Sequence, residues 1–449
     1  MPHHLSWKRL LSANRPAASR SDSEKFADID SRTAFERDHD RIVFSAPFRR
    51  LARKTQVHPL ATNSHIHNRL THSMEVACVG RTFASRVARL ARERSDFEDC
   101  DATQIAWIMQ SACLVHDLGN PPFGHAGEEV VRAWAAKHAD EMFNVARFKS
   151  PEERAASLAD WLHFEGNAQG FRLAARRDIQ KVSYLNLTHA SLAAAIKYPW
   201  SSADPRTAER NKHNVYSTEL PLFQAMAEDL GLVLPSGQIC RHPLSFLTEA
   251  ADDICYRIID LEDAVEMGIR DEASVHRLLL AIASTHGKES MRLPQLRGLA
   301  ITSLIDTFWT VFEASFDQIM KGERIQDLKS SLDEKTKEHI AAIKTNYDEI
   351  FGHSKKVAME LGAYHILGRV LKALVKTINS IHDAQTFADV PFLSRRCAEL
   401  VWGREFAEEN FSQGHAWWLS RVSDFVSGMT DDYATKLSGD IGGHSFFDR

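Results

Sequence analysis

Histidine and aspartate stand side by side at three places in this chain, His39–Asp40, His116–Asp117 and His382–Asp383. Such a pair can hold a divalent ion or move a proton, but alone it decides nothing, so its setting must choose. His116 continues the apolar helical face traced by Ile105, Ile108, Met109, Ala112 and Val115, and Asp117 follows where that helix runs into Gly119 and two prolines. An imidazole and a carboxylate buried at a helix end need partners, although an ordinary, satisfied core histidine is the plain alternative. His72 opens the amphipathic segment THSMEVA, and Asp252 lies in a long apolar-acidic segment. There Thr248, Asp252, Tyr256 and Asp260 recur every four residues and form one polar stripe on a helix. A solvated face would look similar, but Tyr256 in mid-stripe and the apolar flanks oppose it. Two histidines and two aspartates from three helices suit a mixed nitrogen and oxygen site for Mn, Fe, Co or Mg.

The elements that must position these groups are helical. Periods of three and four run through Met74–Leu90, Thr103–His116, Leu244–Val265, Val275–Ser284, Ile301–Ile319 and Val357–Ile378, with no convincing sheet. The expectation is an all-α protein. Residues 1–30 read as a mobile or loosely docked arm, 31–270 as a catalytic helical body, and 271–449 as a further helical region that completes the pocket and offers subunit contacts. Punctuation falls at Gly119–Gly127, at Tyr198–Pro221, which reads as a long exposed loop, and at Leu234–Pro243.

Composition narrows the class. In 449 residues, 44% hydrophobic content and nine Trp exclude a disordered chain, and only 21 Gly and 14 Pro favour long helices. No long apolar run or cleavable leader is visible, so a soluble, cytoplasmic protein is expected, with no membrane partner. Six scattered cysteines without a CxxC pair argue against disulfides or a cysteine zinc site. A net charge of −5 opposes wholesale nucleic-acid coating, while 22 histidines raise the weight of metal or acid–base chemistry.

The ordered segments RRLARKTQV (49–57), NRLTHSMEV (68–76), HDLGNPPFGHAGEE (116–129), FEGNAQGFR (164–172), AIKYP (195–199) and EAADDICYRIIDLEDA (249–264) carry a resemblance. Together they resemble the deoxyguanosine triphosphate triphosphohydrolase family of HD-domain metal phosphohydrolases over residues 35–270, with a weaker echo in SDFVSGMTDDYA (423–434). The resemblance implies an HD-type helical core and hydrolysis of a dNTP to deoxynucleoside and inorganic triphosphate, a reaction suited to dNTP pool control. It implies His72, His116, Asp117 and Asp252 as ligands of one divalent ion, with Asp253 the neighbour should the register differ by one. His125 and Glu128 match the family's catalytic His–carboxylate pair. Arg69, Lys197 and Tyr198 match triphosphate contacts, and Asn120 lies where it can touch phosphate. Gln56 resembles the residue that bonds the sugar 3′-OH, with Asp260 opposite and Tyr256 stacked on the deoxyribose, leaving little room for a 2′-OH.

The family also forms oligomers, commonly hexamers, for which Trp402, Trp417 and Trp418 offer contact area. The cluster Arg49, Arg50, Arg53 and Lys54 has three readings: a feed to the triphosphate, a site for single-stranded nucleic acid or a nucleotide effector, or a solvated helix face. Two rival functions share parts of this pattern. Another HD phosphatase or phosphodiesterase has no reason to carry Gln56, Tyr256 and Asp260 together, and a binding module that senses dNTPs or single-stranded DNA has no need of His125 and Glu128.

Overall fold

The computed structural model describes residues 3–16, 31–56, 66–94, 101–179, 182–283, 286–351 and 354–443. Among the described residues the fold is all-α apart from one two-stranded antiparallel ribbon, Arg177–Ile179 against Val182–Leu185, which the sequence pattern does not reveal. Strands this short carry no readable alternation.

The apolar side chains gather into two cores. The first joins the helices Arg69–Glu93, Ala102–Val115 and Pro243–Glu266 to the helices Glu272–Ala283 and Leu293–Ala314. The second joins Gly124–Lys137 to Ser354–Asp383, His415–Gly428 and Asp431–Gly442. The division in packing therefore does not fall at residue 271. Residues 275–343 complete the first core, and the second begins on both sides of the chain, at Phe123 and at Ala363.

Three expectations about local structure change. The expected arm is docked over residues 3–16: Trp7 is 1% exposed, Leu5 donates its N–H to the Met320 carbonyl at 2.7 Å, and Leu10 and Leu11 lie in the first core. Burying a tryptophan and two leucines outweighs the polar look of the neighbouring sequence, while residues 17–30 lie outside the described residues. The 198–221 segment is not an exposed loop. It contains the helix Pro205–Arg210 and buries His213, Asn214, Val215 and Tyr216. The run Ile301–Ile319 is broken at Ser315, between the helices Leu293–Ala314 and Phe316–Met320.

Local chemistry sets the ends that matter for the site. Asn68 caps the Arg69–Glu93 helix by accepting from the N–H groups of Leu70 and Thr71. Asp101 caps the next helix through the Thr103 N–H at 2.9 Å. That helix stops at His116, because Pro121 and Pro122 cannot continue it and Phe123 adopts a left-handed conformation at φ 64°. A non-glycine residue there is strained, and the Asp431 carboxylate holds it by accepting the Phe123 N–H at 3.0 Å.

Candidate active site

His72, His116 and Asp117 present ligand atoms within 4.8 Å of one another. Asp252 closes the set, its Oδ1 lying 3.2 Å from His72 Nε2 and 3.4 Å from His116 Nε2. Each side chain is fixed from behind. His116 Nδ1 donates to the Cys113 carbonyl at 2.7 Å, which leaves Nε2 facing the cluster, and that atom is buried with no hydrogen-bond partner. Arg69 reaches Asp117 Oδ2 at 2.8 Å, Asn120 Nδ2 donates to Asp117 Oδ1 at 2.6 Å, and Lys197 donates to Asp252 Oδ2 at 2.7 Å.

The electrostatics favour a bound cation. Burial alone would raise the Asp117 and Asp252 pKa values, but Arg69 and the imidazoles hold Asp117 well below the usual carboxylate range, and Lys197 and His116 do the same for Asp252. Burial works against charge on His116, yet the two carboxylates raise its pKa. An orphaned imidazole nitrogen beside two ionised carboxylates and a second imidazole is a donor set that fits a divalent ion. Asp253 is outside this set, paired with Arg257 at 2.9 Å.

The cluster opens into a cavity of about 350 Å³. Its wall holds Gln56, Arg69, His116, Asp117, Asn120, His125, Lys197, Tyr198, Asp252 and Tyr256. His72 is 1% exposed and sits behind the wall. At the far side His125, 81% exposed, meets Glu128 at 3.2 Å. Glu128 is buried, which alone would raise its pKa, but the bond to His125, the charge of Lys212 and the Gly166 N–H bring it down to about 2. An ionised carboxylate is thus held against Nδ1 of a solvent-accessible imidazole.

The HD domain model matches residues 69–196. A deoxyguanosinetriphosphate triphosphohydrolase-like protein of Pseudomonas aeruginosa is 37% identical over 98% of this chain and 99% of its own length. One from Synechocystis is 34% identical over 98% of this chain and all of its own. A deoxyguanosinetriphosphate triphosphohydrolase of Yersinia enterocolitica is 36% identical over 59% of this chain and 56% of its own length. The chain belongs to the deoxyguanosinetriphosphate triphosphohydrolase-like family.

Within that family frame, the residues expected from sequence fall into two groups. Ten of the thirteen line the cavity, and His72 and Glu128 stand directly behind it. Asp260 does not reach the wall. It is buried, and its charge acts on Tyr256, one helical turn back, whose phenol it helps burial to push up.

Several wall residues were not singled out from sequence. Lys212 bonds Glu165 at 2.8 Å and stands 4.0 Å from Glu128, so it joins the acid–base pair to the cavity. It was hidden because its segment reads as a surface loop. Glu165 and Asn167 lie in FEGNAQGFR, a motif whose glycines explain its presence: a Cβ on Gly166 would meet Asn120 Oδ1 at 2.6 Å and Glu128 Oε1 at 2.8 Å. Glu360, from the Ser354–Asp383 helix, also faces the cavity, and no local pattern near it signals a site.

The basic cluster divides on folding. Arg53 is exposed and paired with Asp432, whereas Lys54 is buried and donates at 2.6 Å to the carbonyls of both Asn120 and Ser427. Lys54 is a strut rather than part of a solvated face. Trp418, expected as contact area, is 1% exposed and fills the second core against Trp402 at 5.1 Å, while Trp402 and Trp417 remain half-buried. The described cysteines 78, 113, 240, 255 and 397 are free thiols. Among the described residues no helix is long and apolar enough to cross a membrane.

Proposed function

We propose that this protein hydrolyses deoxynucleoside triphosphates to the deoxynucleoside and inorganic triphosphate, with one divalent ion held by His72, His116, Asp117 and Asp252. The observation that carries the reading is the shared wall: metal-ligand set, His125–Glu128 pair, three cations and a sugar-sized aromatic face meet in one 350 Å³ cavity. Arg69, Lys197 and Lys212 stand against five wall carboxylates, Asp117, Glu165, Asp252, Asp253 and Glu360. That balance repels a triphosphate unless a cation is added, so the fit requires the metal as well as the basic side chains.

A divalent ion in this set supplies polarisation of the α-phosphate and a lower pKa for the attacking water. Arg69 and Lys197 each touch a ligand carboxylate and the cavity, so they orient phosphate oxygens beside the ion. His125, steadied by Glu128, is placed to pass a proton to the leaving 5′ oxygen or take one from water. Gln56 Oε1 is buried without a hydrogen-bond partner and accepts a sugar hydroxyl. Tyr256 gives the sugar a flat apolar face that crowds a 2′-OH. Glu360 adds a reason for guanine: an acceptor-only carboxylate accepts from both adjacent donors, N1–H and N2–H, of that base, whereas thymine offers only one N–H between two repelling carbonyls.

The test is to incubate Mn-supplemented protein with each dNTP and NTP separately and identify products by chromatography. Deoxynucleoside plus triphosphate, with dGTP fastest and ribonucleotides at least about tenfold slower, is expected from a steric and hydrogen-bonded sugar pocket. Release of orthophosphate or pyrophosphate points instead to a different HD phosphohydrolase, and no turnover to a binding module.

A further inference from the structure

A second cavity, larger than the first at about 600 Å³, lies between the second core and the segment that carries Arg50. Its walls are mainly apolar and carry four aromatic rings, Trp402, Phe406, Phe425 and Tyr433, the last two in edge contact at 6.3 Å. Two guanidinium groups line it. Arg421 is neutralised, pairing with Asp424 at 2.7 Å and lying over the Trp417 ring at 5.3 Å. Arg50 is not. Its Nε is buried with no hydrogen-bond partner, and no carboxylate among the described residues pairs with it. Its Nη2 lies over Gly428, where a Cβ would stand 3.6 Å away, so the group is at the cavity wall. Burial and the neighbouring Arg49 both disfavour its charge, which is the unmet demand of a cation lacking an anion.

A cavity of this size holds a drug-sized molecule, and its lining of aromatic rings with one uncompensated cation defines the chemistry of the occupant. We propose that it binds a small planar aromatic monoanion, with the ring against Trp402, Phe406, Phe425 and Tyr433 and the carboxylate or sulfonate on Arg50. Nothing in this inference depends on the reaction in the first cavity. The two are neighbours, because Gly428, Met429 and Thr430 line the second cavity between Ser427, which accepts from Lys54, and Asp431, which accepts from Phe123.

The test uses the full chain and two fluorescent probes of similar shape, the anion 8-anilinonaphthalene-1-sulfonate and the neutral N-phenyl-1-naphthylamine. Wild-type protein should bind the anion saturably at one per chain, with energy transfer from tryptophan that falls in Trp402→Phe. Arg50→Gln should weaken the anion about tenfold to a hundredfold, the usual worth of a hydrogen bond to a charged group, and leave the neutral probe unchanged, which also shows the pocket is folded. Arg50→Lys should recover part of the loss, and Ala46→Trp, which fills the cavity, should abolish both. Unsaturable binding, equal effects of Arg50→Gln on both probes, or binding that survives Ala46→Trp overturns the proposal.

Discussion

The two sides of the catalytic cavity are built on different foundations. The metal-ligand side belongs to the first core: His72, His116 and Asp252 project from three helices packed in one apolar cluster, and their partners are charged groups of the same body. The acid–base side belongs to the second core. His125 and Glu128 ride on the Gly124–Lys137 helix, whose Val130, Val131 and Trp134 pack with the Ser354–Asp383 helix. The loop between them crosses from one core to the other, with Leu118 in the first and Phe123 in the second. The proposed metal binding and the proposed proton transfer thus rest on separate cores, and their register depends on the clamps that join them. Lys54 bonds the Asn120 and Ser427 carbonyls, Asp431 accepts from both Thr55 and Phe123, and Arg172 reaches Glu219, Ser423 and Asp424.

This difference gives graded ways to take the site apart. The largest effect is expected on the first side: His116→Ala or Asp117→Ala should lose bound metal and turnover together while circular dichroism stays helical. Removing a ligand leaves the remaining carboxylates in mutual repulsion. Metal content by plasma mass spectrometry decides it, and full activity of either variant with added Mn would refute the ligand assignment.

On the second side, His125→Ala should keep metal and dNTP affinity by calorimetry yet lose roughly 10²–10⁴ in turnover, the usual worth of acid–base catalysis. Glu128→Gln should lose less, since an amide still orients the ring but no longer stabilises its charged form. A wild-type rate in His125→Ala, or loss explained by missing metal, would assign the proton elsewhere.

Between the sides, Asp431→Asn should cut kcat by about tenfold to a hundredfold with metal content unchanged, because a displacement near 1 Å of the catalytic pair costs that much. The amide keeps the size of the carboxylate but cannot accept on both of its terminal atoms from Thr55 and Phe123. Unaltered kcat would show that the cores hold their register without this clamp.

The smallest effect concerns stability. Burial, with Arg50 and Arg69 adding to it, lowers the Lys54 pKa to about 7 from an ordinary 10.5. Between those values the unfolded chain binds more protons than the folded one, so stability rises with pH from about 7 upward, by at most about 1.4 kcal/mol per unit. Below pH 7 both states are protonated and this contribution to the slope vanishes. Comparing urea midpoints of wild type and Lys54→Met from pH 6 to 9 isolates it: the difference should be flat below 7 and shift in favour of wild type above.

The first side was largely legible in sequence; on the second, the His125–Glu128 pair came from the family resemblance and the residues around it were not legible, for a physical reason. His72, His116–Asp117 and Asp252 sit on or at the end of regular helices whose apolar period suggests which way they face, and the family resemblance joined them into one ligand set. Lys212, Glu360 and the Lys54 strut act through contacts between distant segments, 47 residues apart in the Lys212–Glu165 bond and 373 in the Lys54–Ser427 bond, and no local period encodes such contacts. Asp260 shows the limit from the other side. Its four-residue spacing from Tyr256 was read correctly as one stripe, but which turn of that stripe meets the cavity is set by packing against the rest of the core. The docked N-terminal residues escaped for the same reason, since Leu5 bonds the Met320 carbonyl and the Trp7–Leu10 helix packs against Leu220–Leu230, both far along the chain.

The central claim is attack of water on the α-phosphorus with the whole triphosphate leaving together, and hydrolysis of dGTP in H₂¹⁸O tests it most directly. Because the metal-ligand set and His125 flank one cavity, the label tells which bond is cut. Attack at the α-phosphorus with cleavage of its ester bond to the 5′ oxygen places one ¹⁸O in the triphosphate and none in deoxyguanosine.

 In labelled water the predicted result is triphosphate carrying one ¹⁸O beside unlabelled deoxyguanosine. Label in the 5′-hydroxyl of deoxyguanosine, or release of pyrophosphate or orthophosphate in place of triphosphate, would contradict the account.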